Sequence, residues 1–253
     1  MFKTPTKDNY HNSRLLGAAR IGESSFFVYK SGERVALASA DCEKLHAKAL
    51  KNMMKASTTV KRVLNKCRIR PFVNAKILKE LTGGHMNDTC KIALGIYSNL
   101  SDDIKNTVNI DIIKEAAILH DLGKVLIPAK ILNKPAKLTP KERKIMKIHS
   151  ILGYELLKTQ GIDEKILNLI KYHHQNLSES GYPVMVENHK PSSLGIQIIS
   201  TADKYSALRE KRIYRKRLSK LESLLILYRE VLEGKIDKFV YDALFRYTQC
   251  CPD

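Results

Sequence analysis

The stretch HDLGKVLIP, residues 120–128, decides how this chain is read. It follows Ile112, Ile113, Ala116, Ala117, Ile118 and Leu119, whose steps of four mark one apolar face of a helix. His120 and Asp121 continue that face. Burying an unpaired carboxylate costs on the order of several kcal/mol, comparable with the net stability of a small domain. Apart from Lys124, the nearby basic residues fall on other faces, so something else must offset Asp121.

The pattern recurs along the chain. His85, Thr89, Ile92 and Ile96 form one stripe, and Ile145, His149, Leu152 and Leu156 another. Ile166, Leu169 and Ile170 lead to His173 and His174, and Ile198, Ile199 and Ala202 lead to Asp203. One core histidine is ordinary. Five imidazoles and two carboxylates turned to one core are accounted for together if they surround metal ions, because neutral imidazole and carboxylate suit zinc, iron or manganese. Seven donors exceed one tetrahedral ion and fit two octahedral ions sharing a carboxylate and a water. Such a pair makes hydroxide near neutral pH and favours in-line displacement on phosphate esters.

The remaining features set bounds. The chain has 253 residues, 43% of them hydrophobic, which is enough for one large domain with a small attachment. No stretch has the length and apolarity of a membrane span. The N-terminus MFKTPTKDNY lacks a signal-peptide core, so a cytoplasmic location is expected. Five scattered cysteines without a CxxC pair argue against a disulfide framework or a zinc ribbon. The formal charge of +18 suits an anionic partner, although lysines spread along solvated faces give the same sum.

Residues 26–29 and 35–38 are short β-prone runs around Ser31-Gly32, which reads as a hairpin. Residues 44–64 read as one long basic helix, and Pro71 marks the join to the main domain. Thr139-Pro140-Lys141-Glu142 and Ser219-Lys220-Leu221-Glu222 are capping boxes, and Gly161 and Gly234 stand where helices stop. The expected fold is mainly α. An N-terminal extension, residues 1–70, precedes a bundle of about seven helices in residues 71–253.

With its partners, the His120-Asp121 doublet resembles the HD superfamily of metal-dependent phosphohydrolases, and the whole series resembles its HD-GYP subfamily. The series is HDLGKVLIP, ILNKPAKLTPKE, His149-Ser-Ile-Leu-Gly153, His173-His174, Gly181-Tyr182-Pro183, Asp203-Lys-Tyr-Ser-Ala-Leu208 and Arg212-Ile-Tyr214. The resemblance implies an all-helical phosphodiesterase that converts cyclic di-GMP to pGpG or GMP at a binuclear iron or manganese centre. It assigns His85, His120, Asp121 and Asp203 to one metal, and Asp121, His149, His173 and His174 to the other, with Asp121 bridging. Lys124 would meet a substrate phosphate or the attacking water. Tyr182 lies in the naming loop, and Arg212 and Arg215 would contact the other phosphate or a guanine.

The chain departs from that pattern in the loop. Gln175, Asn176, Ser178 and Glu179 stand where Glu, a basic residue and Asp-Gly are usual, Ser206 replaces an Asp, and Ala129 replaces another. Leu81 occupies the place of a Glu that recruits a third metal in some members, so two ions are expected. Two other functions fit the same residues: a metal-containing adaptor that binds cyclic dinucleotide with little turnover, and a hydrolase of another nucleotide such as cyclic GMP-AMP or guanosine tetraphosphate. A homodimer and a protein signalling partner are compatible with each.

Overall fold

The computed structural model describes residues 14–21, 24–31, 34–38, 43–74, 77, 84–184, 193–210 and 216–250. Three strands, β1 (Arg14–Ile21), β2 (Ser24–Ser31) and β3 (Arg34–Ala38), form an antiparallel sheet in the order β1-β2-β3. Tyr29 pairs with Ala36 and Phe27 with Ala38. Gly32 of the expected turn lies outside the described residues.

Two helices follow, α1 (Glu43–Ala56) and α2 (Thr58–Lys66), where the sequence suggested one. Ser57 makes the break. Its backbone is extended and its hydroxyl accepts from Val60 N at 3.1 Å, so it caps a new helix instead of continuing the old one. The second helix ends before Pro71, at Lys66, followed by Arg68 at a φ of 55°.

The rest is helical. The sequence continues through α3 (His85–Ser98), α4 (Asp102–Lys105), α5 (Ile110–Leu119), a 3-10 turn at Leu122–Leu126 and α6 (Ala129–Leu132). Then come α7 (Pro140–Lys147), α8 (His149–Lys158), α9 (Glu164–Tyr172), α10 (Ser193–Arg209), α11 (Lys220–Leu232) and α12 (Lys238–Gln249). Both capping boxes form, at Thr139–Glu142 and Ser219–Glu222. Gly161 and Gly234 take φ values of 70° and 67° just past helix ends.

One core is shared by residues on both sides of Pro71. Leu15 of β1, Phe27 of β2, and Leu50 and Met53 of α1 belong to one buried cluster with Ile118, Leu119, Leu156 and Ile170. Strand β1 packs on α5, while α1 and α2 pack on α8. Helix α3 lies against α5, α10 and α12, which places the start of α3 beside the end of α5 and the C-terminal half of α10. No helix among the described residues is long and apolar enough to cross a membrane.

Candidate metal centre

The site is built at helix ends. Helix α5 stops at Leu119, so His120 is its C-cap and Asp121 opens the 3-10 turn. Helix α9 stops at Tyr172, leaving His173 as C-cap and His174 in the turn beyond. His149 and His85 are the first residues of α8 and α3, and Asp203 lies within α10. The stripe through Ile145 and His149 therefore crosses a break at Ile148 between α7 and α8.

Close backbone contact brings two of these segments together. A Cβ on Gly123 would stand 1.9 Å from the carbonyl oxygen of His149 and 2.5 Å from the nitrogen of Gly153. Only glycine lets the 3-10 turn after Asp121 lie directly on α8, and this sets Asp121 against His149.

All seven predicted ligand residues are brought together. His149 Nε2 lies 3.2 Å from Asp121 Oδ1, and His173 Nε2 lies 4.0 Å from the same oxygen. On the other carboxylate oxygen, Asp121 Oδ2, His120 Nε2 stands at 3.5 Å and His85 Nε2 at 3.7 Å. Asp203 Oδ1 lies 2.7 Å from His85 Nε2 and 3.8 Å from His120 Nε2, and its Oδ2 is 3.7 Å from His174 Nδ1. Two groups have ligand atoms within 4.8 Å of one another: Asp121, His149, His173 and His174, and His85, His120 and Asp121. Asp121 belongs to both.

Proton positions make this a cluster of lone pairs. The Nδ1 atoms of His120, His149 and His173 lie 2.7 Å from the carbonyls of Ala117, Met146 and Ile170. A carbonyl only accepts, so each Nδ1 carries its ring's proton and each Nε2 of a neutral ring presents a lone pair inward. His149 Nε2 lies 3.3 Å from His173 Nε2 and 3.2 Å from His174 Nε2. His120 Nε2 and Asp121 Oδ1 are buried without a hydrogen-bond partner. The inward Nε2 atoms of His120, His149 and His173 share no proton among themselves and so repel one another, and a cation held among them removes the repulsion. The donor set thus fits a divalent transition metal, and the outer Nδ1 bonds are the kind that orient metal-binding histidines.

The charge balance points the same way for His173, His174, Asp121 and Asp203, while His120 runs against it, Asp121 favouring its protonated form. Burial drives His173 well below the usual imidazole range, helped by His174, His120 and His149, and it takes His174 down to about 3 against the pull of Asp203. Burial alone would raise Asp121, but Lys124 and His120 outweigh it and hold the carboxyl well below the carboxylate range. Asp203 is likewise held low, burial being outweighed by its hydrogen bond from His85. His120 is raised because Asp121 overcomes the effect of burial. Neutral rings and ionised carboxylates are the forms that bind metal.

Lys124, expected to be aimed at substrate, donates to Asp121 Oδ2. Tyr182 stacks on His174 with ring centroids 4.6 Å apart at 29°. Arg212, Arg215 and Leu81 lie outside the described residues. Sequence reasoning missed Lys147, whose Nζ stands 4.8 Å from the centre of the Tyr182 ring. It also missed the three carbonyls that fix the tautomers, although each lies three residues before its histidine. Ser206, noted as a departure, bonds His85 Nδ1 at 3.1 Å.

A helical domain that gathers imidazoles and carboxylates at its helix ends is the class this geometry defines. Residues 73–240 match the HD domain family, and the chain belongs to it. It is HD-GYP-like. Over 139 residues it is 39% identical to the cyclic di-GMP phosphodiesterase response regulator RpfG of Xanthomonas campestris, covering 53% of this chain and 36% of that protein. It is 32% identical over 141 residues to 3'3'-cGAMP-specific phosphodiesterase 3 of Vibrio cholerae, covering 56% and 30%. The chain therefore spans about a third of the length of these relatives. A solved HDG"Y"P protein from Bdellovibrio bacteriovorus shares the fold, with a TM-score of 0.53 at 18% identity, over 83% of this chain and 63% of that one.

Proposed function

We propose that this chain is a metal-dependent phosphodiesterase that hydrolyses cyclic di-GMP to pGpG or GMP. The observation that carries the reading is the set of inward-facing Nε2 lone pairs of His120, His149 and His173 around the buried Asp121, which has a use only if a cation sits among them. The names of the relatives supply the substrate class, and a formal charge of +18 suits a polyanion.

Two divalent ions, iron or manganese, fit the seven donors. His85, His120, Asp121 and Asp203 would hold one, and Asp121, His149, His173 and His174 the other. Bound ions of this kind acidify a water and offset charge on a phosphoryl group. The chain's own residues do the rest. The carbonyls of Ala117, Met146 and Ile170 hold three rings with Nε2 inward. Lys124 keeps Asp121 ionised and puts a cation beside it, where a substrate phosphate would be met. Tyr182 stacks on His174 and presents an aromatic face beside it. Arg212 and Arg215 are assigned to the second phosphate or a guanine.

Residues 1–70 are read as a packing extension of the 71–253 unit, since Leu15, Phe27 and Leu50 share its core. A cytoplasmic location, and either a homodimer or a protein signalling partner, belong to the same proposal.

The Vibrio cholerae relative favours a second reading in which cyclic GMP-AMP is the preferred substrate. Protein loaded anaerobically with iron or manganese and offered cyclic di-GMP, cyclic GMP-AMP and guanosine tetraphosphate decides between them. Hydrolysis of cyclic di-GMP to linear product is expected. Tight binding without turnover would make the chain an adaptor, and neither binding nor turnover would end the reading.

A further inference from the structure

Gln175 follows His174 and is almost fully buried, with 1% of its surface exposed. Its side-chain amide spans the loop that returns to the site. Nε2 donates to the carbonyl of Pro183 at 2.6 Å, and Oε1 accepts from the nitrogen of Gly181 at 3.1 Å. These two bonds fix which end of the amide is which. Between them, the nitrogen of Tyr182 donates to the carbonyl of His174 at 3.3 Å. The loop lies so close that a Cβ on Gly181 would stand 2.2 Å from the His174 carbonyl and 2.7 Å from Gln175 Cα.

Two hydrogen bonds of opposite sense, one on each side of Tyr182, fix the backbone from which its ring stacks on His174. The Gln amide offers a donor and an acceptor at one end, which an ionised carboxylate of the same length does not. The glutamate usual in HD-GYP proteins would, when ionised, leave the Pro183 carbonyl without its donor. The outer part of the loop is tied separately, with Asn176 Oδ1 accepting from Ser180 N at 3.0 Å and from Ser178 Oγ at 3.1 Å. Three of the departures from the family pattern, Gln175, Asn176 and Ser178, thus each make hydrogen bonds within this loop.

We propose that Gln175 is a positioning residue: it clasps residues 181–183 so that Tyr182 lies flat on His174 and forms the substrate-side wall of the metal centre. Its effect on nucleotide affinity runs through Tyr182. This rests on the phosphodiesterase reading for the nucleotide, whereas the clasp itself can be measured without one.

The test compares wild type, Gln175→Met, Tyr182→Ala and the double variant, all with metal content measured. Methionine keeps the length and loses both bonds. In Gln175→Met the amides of Gly181 and Tyr182 should exchange with deuterium at least tenfold faster, with metal content unchanged. Affinity for a non-hydrolysable phosphorothioate analogue of cyclic di-GMP should fall about tenfold, as for losing two modest hydrogen bonds. In the Tyr182→Ala background the same change should cost nothing further. Unchanged exchange, loss of metal, or an equal affinity loss in both backgrounds would overturn the clasp. A wild-type protein that binds no nucleotide would instead overturn the phosphodiesterase reading, and the exchange rates would still judge Gln175.

Discussion

The Nε2 atoms of His149 and His173 lie 3.3 Å apart, while the Nδ1 protons of both rings are turned away to backbone carbonyls. Two lone pairs thus face each other in a buried space beside a carboxylate. Metal should stabilise this arrangement measurably. A ligand present at a hundred times its dissociation constant adds about 2.7 kcal/mol. Chelation is therefore expected to lower the melting temperature by several degrees. Elemental analysis should find close to two transition-metal ions per chain, and Asp121→Ala should lose both because Asp121 belongs to both groups. Full metal content in Asp121→Ala would disprove the shared position.

The contact at Gly123 is testable by stability. An alanine Cβ there would stand 1.9 Å from the His149 carbonyl, so the turn and α8 must separate. Overpacking of this kind costs about 1–3 kcal/mol. Gly123→Ala should melt lower and also bind metal more weakly, because Asp121 and His149 move apart. A variant with wild-type stability and metal affinity would show that the close approach is not required.

Lys124 donates to Asp121 rather than standing free. Lys124→Met should therefore slow turnover of cyclic di-GMP tenfold or more, the scale of one charge-assisted hydrogen bond at about 1.5–3 kcal/mol. Metal stoichiometry should hold, since lysine is not a ligand. Steady-state kinetics on metal-matched protein checks this, and a wild-type kcat would remove Lys124 from the machinery.

Lys147 is exposed, with its ammonium 4.8 Å from the centre of the Tyr182 ring. An exposed cation–π pair contributes about 0.5–1 kcal/mol. Lys147→Met should raise KM for a cyclic dinucleotide severalfold and leave hydrolysis of bis(p-nitrophenyl) phosphate unchanged, because that small diester does not reach the rim. Equal losses on both substrates would assign Lys147 to general stability instead.

The capping box that starts α7 gives a pH signature. Glu142 bonds Lys134 and the backbone of Thr139, and its carboxyl falls from 4.5 to about 2. A lowered carboxyl contributes stability that is complete above 4.5 and disappears as pH falls through about 2. The difference in melting temperature between wild type and Glu142→Gln should therefore shrink steadily over that window. A constant difference would mean that the ion pair is screened away at this half-buried surface position.

The residues of the candidate metal centre were legible in the sequence because helix periodicity is local. Each histidine or aspartate lies on an apolar stripe, and five stripes carrying seven donors are hard to explain singly. What the period could not show is where helices stop. The breaks at Ser57 and Ile148 depend on a hydroxyl cap and on one residue between two helices, neither of which disturbs the spacing of apolar positions. The pairing of Lys124 with Asp121 depends on a 3-10 turn that reads in sequence as more helix. The role of Gln175 was hidden for another reason. As a departure from a family pattern it reads as a loss, and only the return of residues 181–183 supplies its partners.

His85 and Asp203 meet at 2.7 Å although 118 residues separate them. Closing so long a loop carries an entropic cost that local helix formation does not offset, so this pair should be among the last native contacts to form. Metal capture by the complete centre then becomes a reporter of finished folding. In stopped-flow refolding, acquisition of tightly held metal should lag behind helical ellipticity, and a centre that filled within the first helical phase would place the two ends of the domain together much earlier than this topology implies.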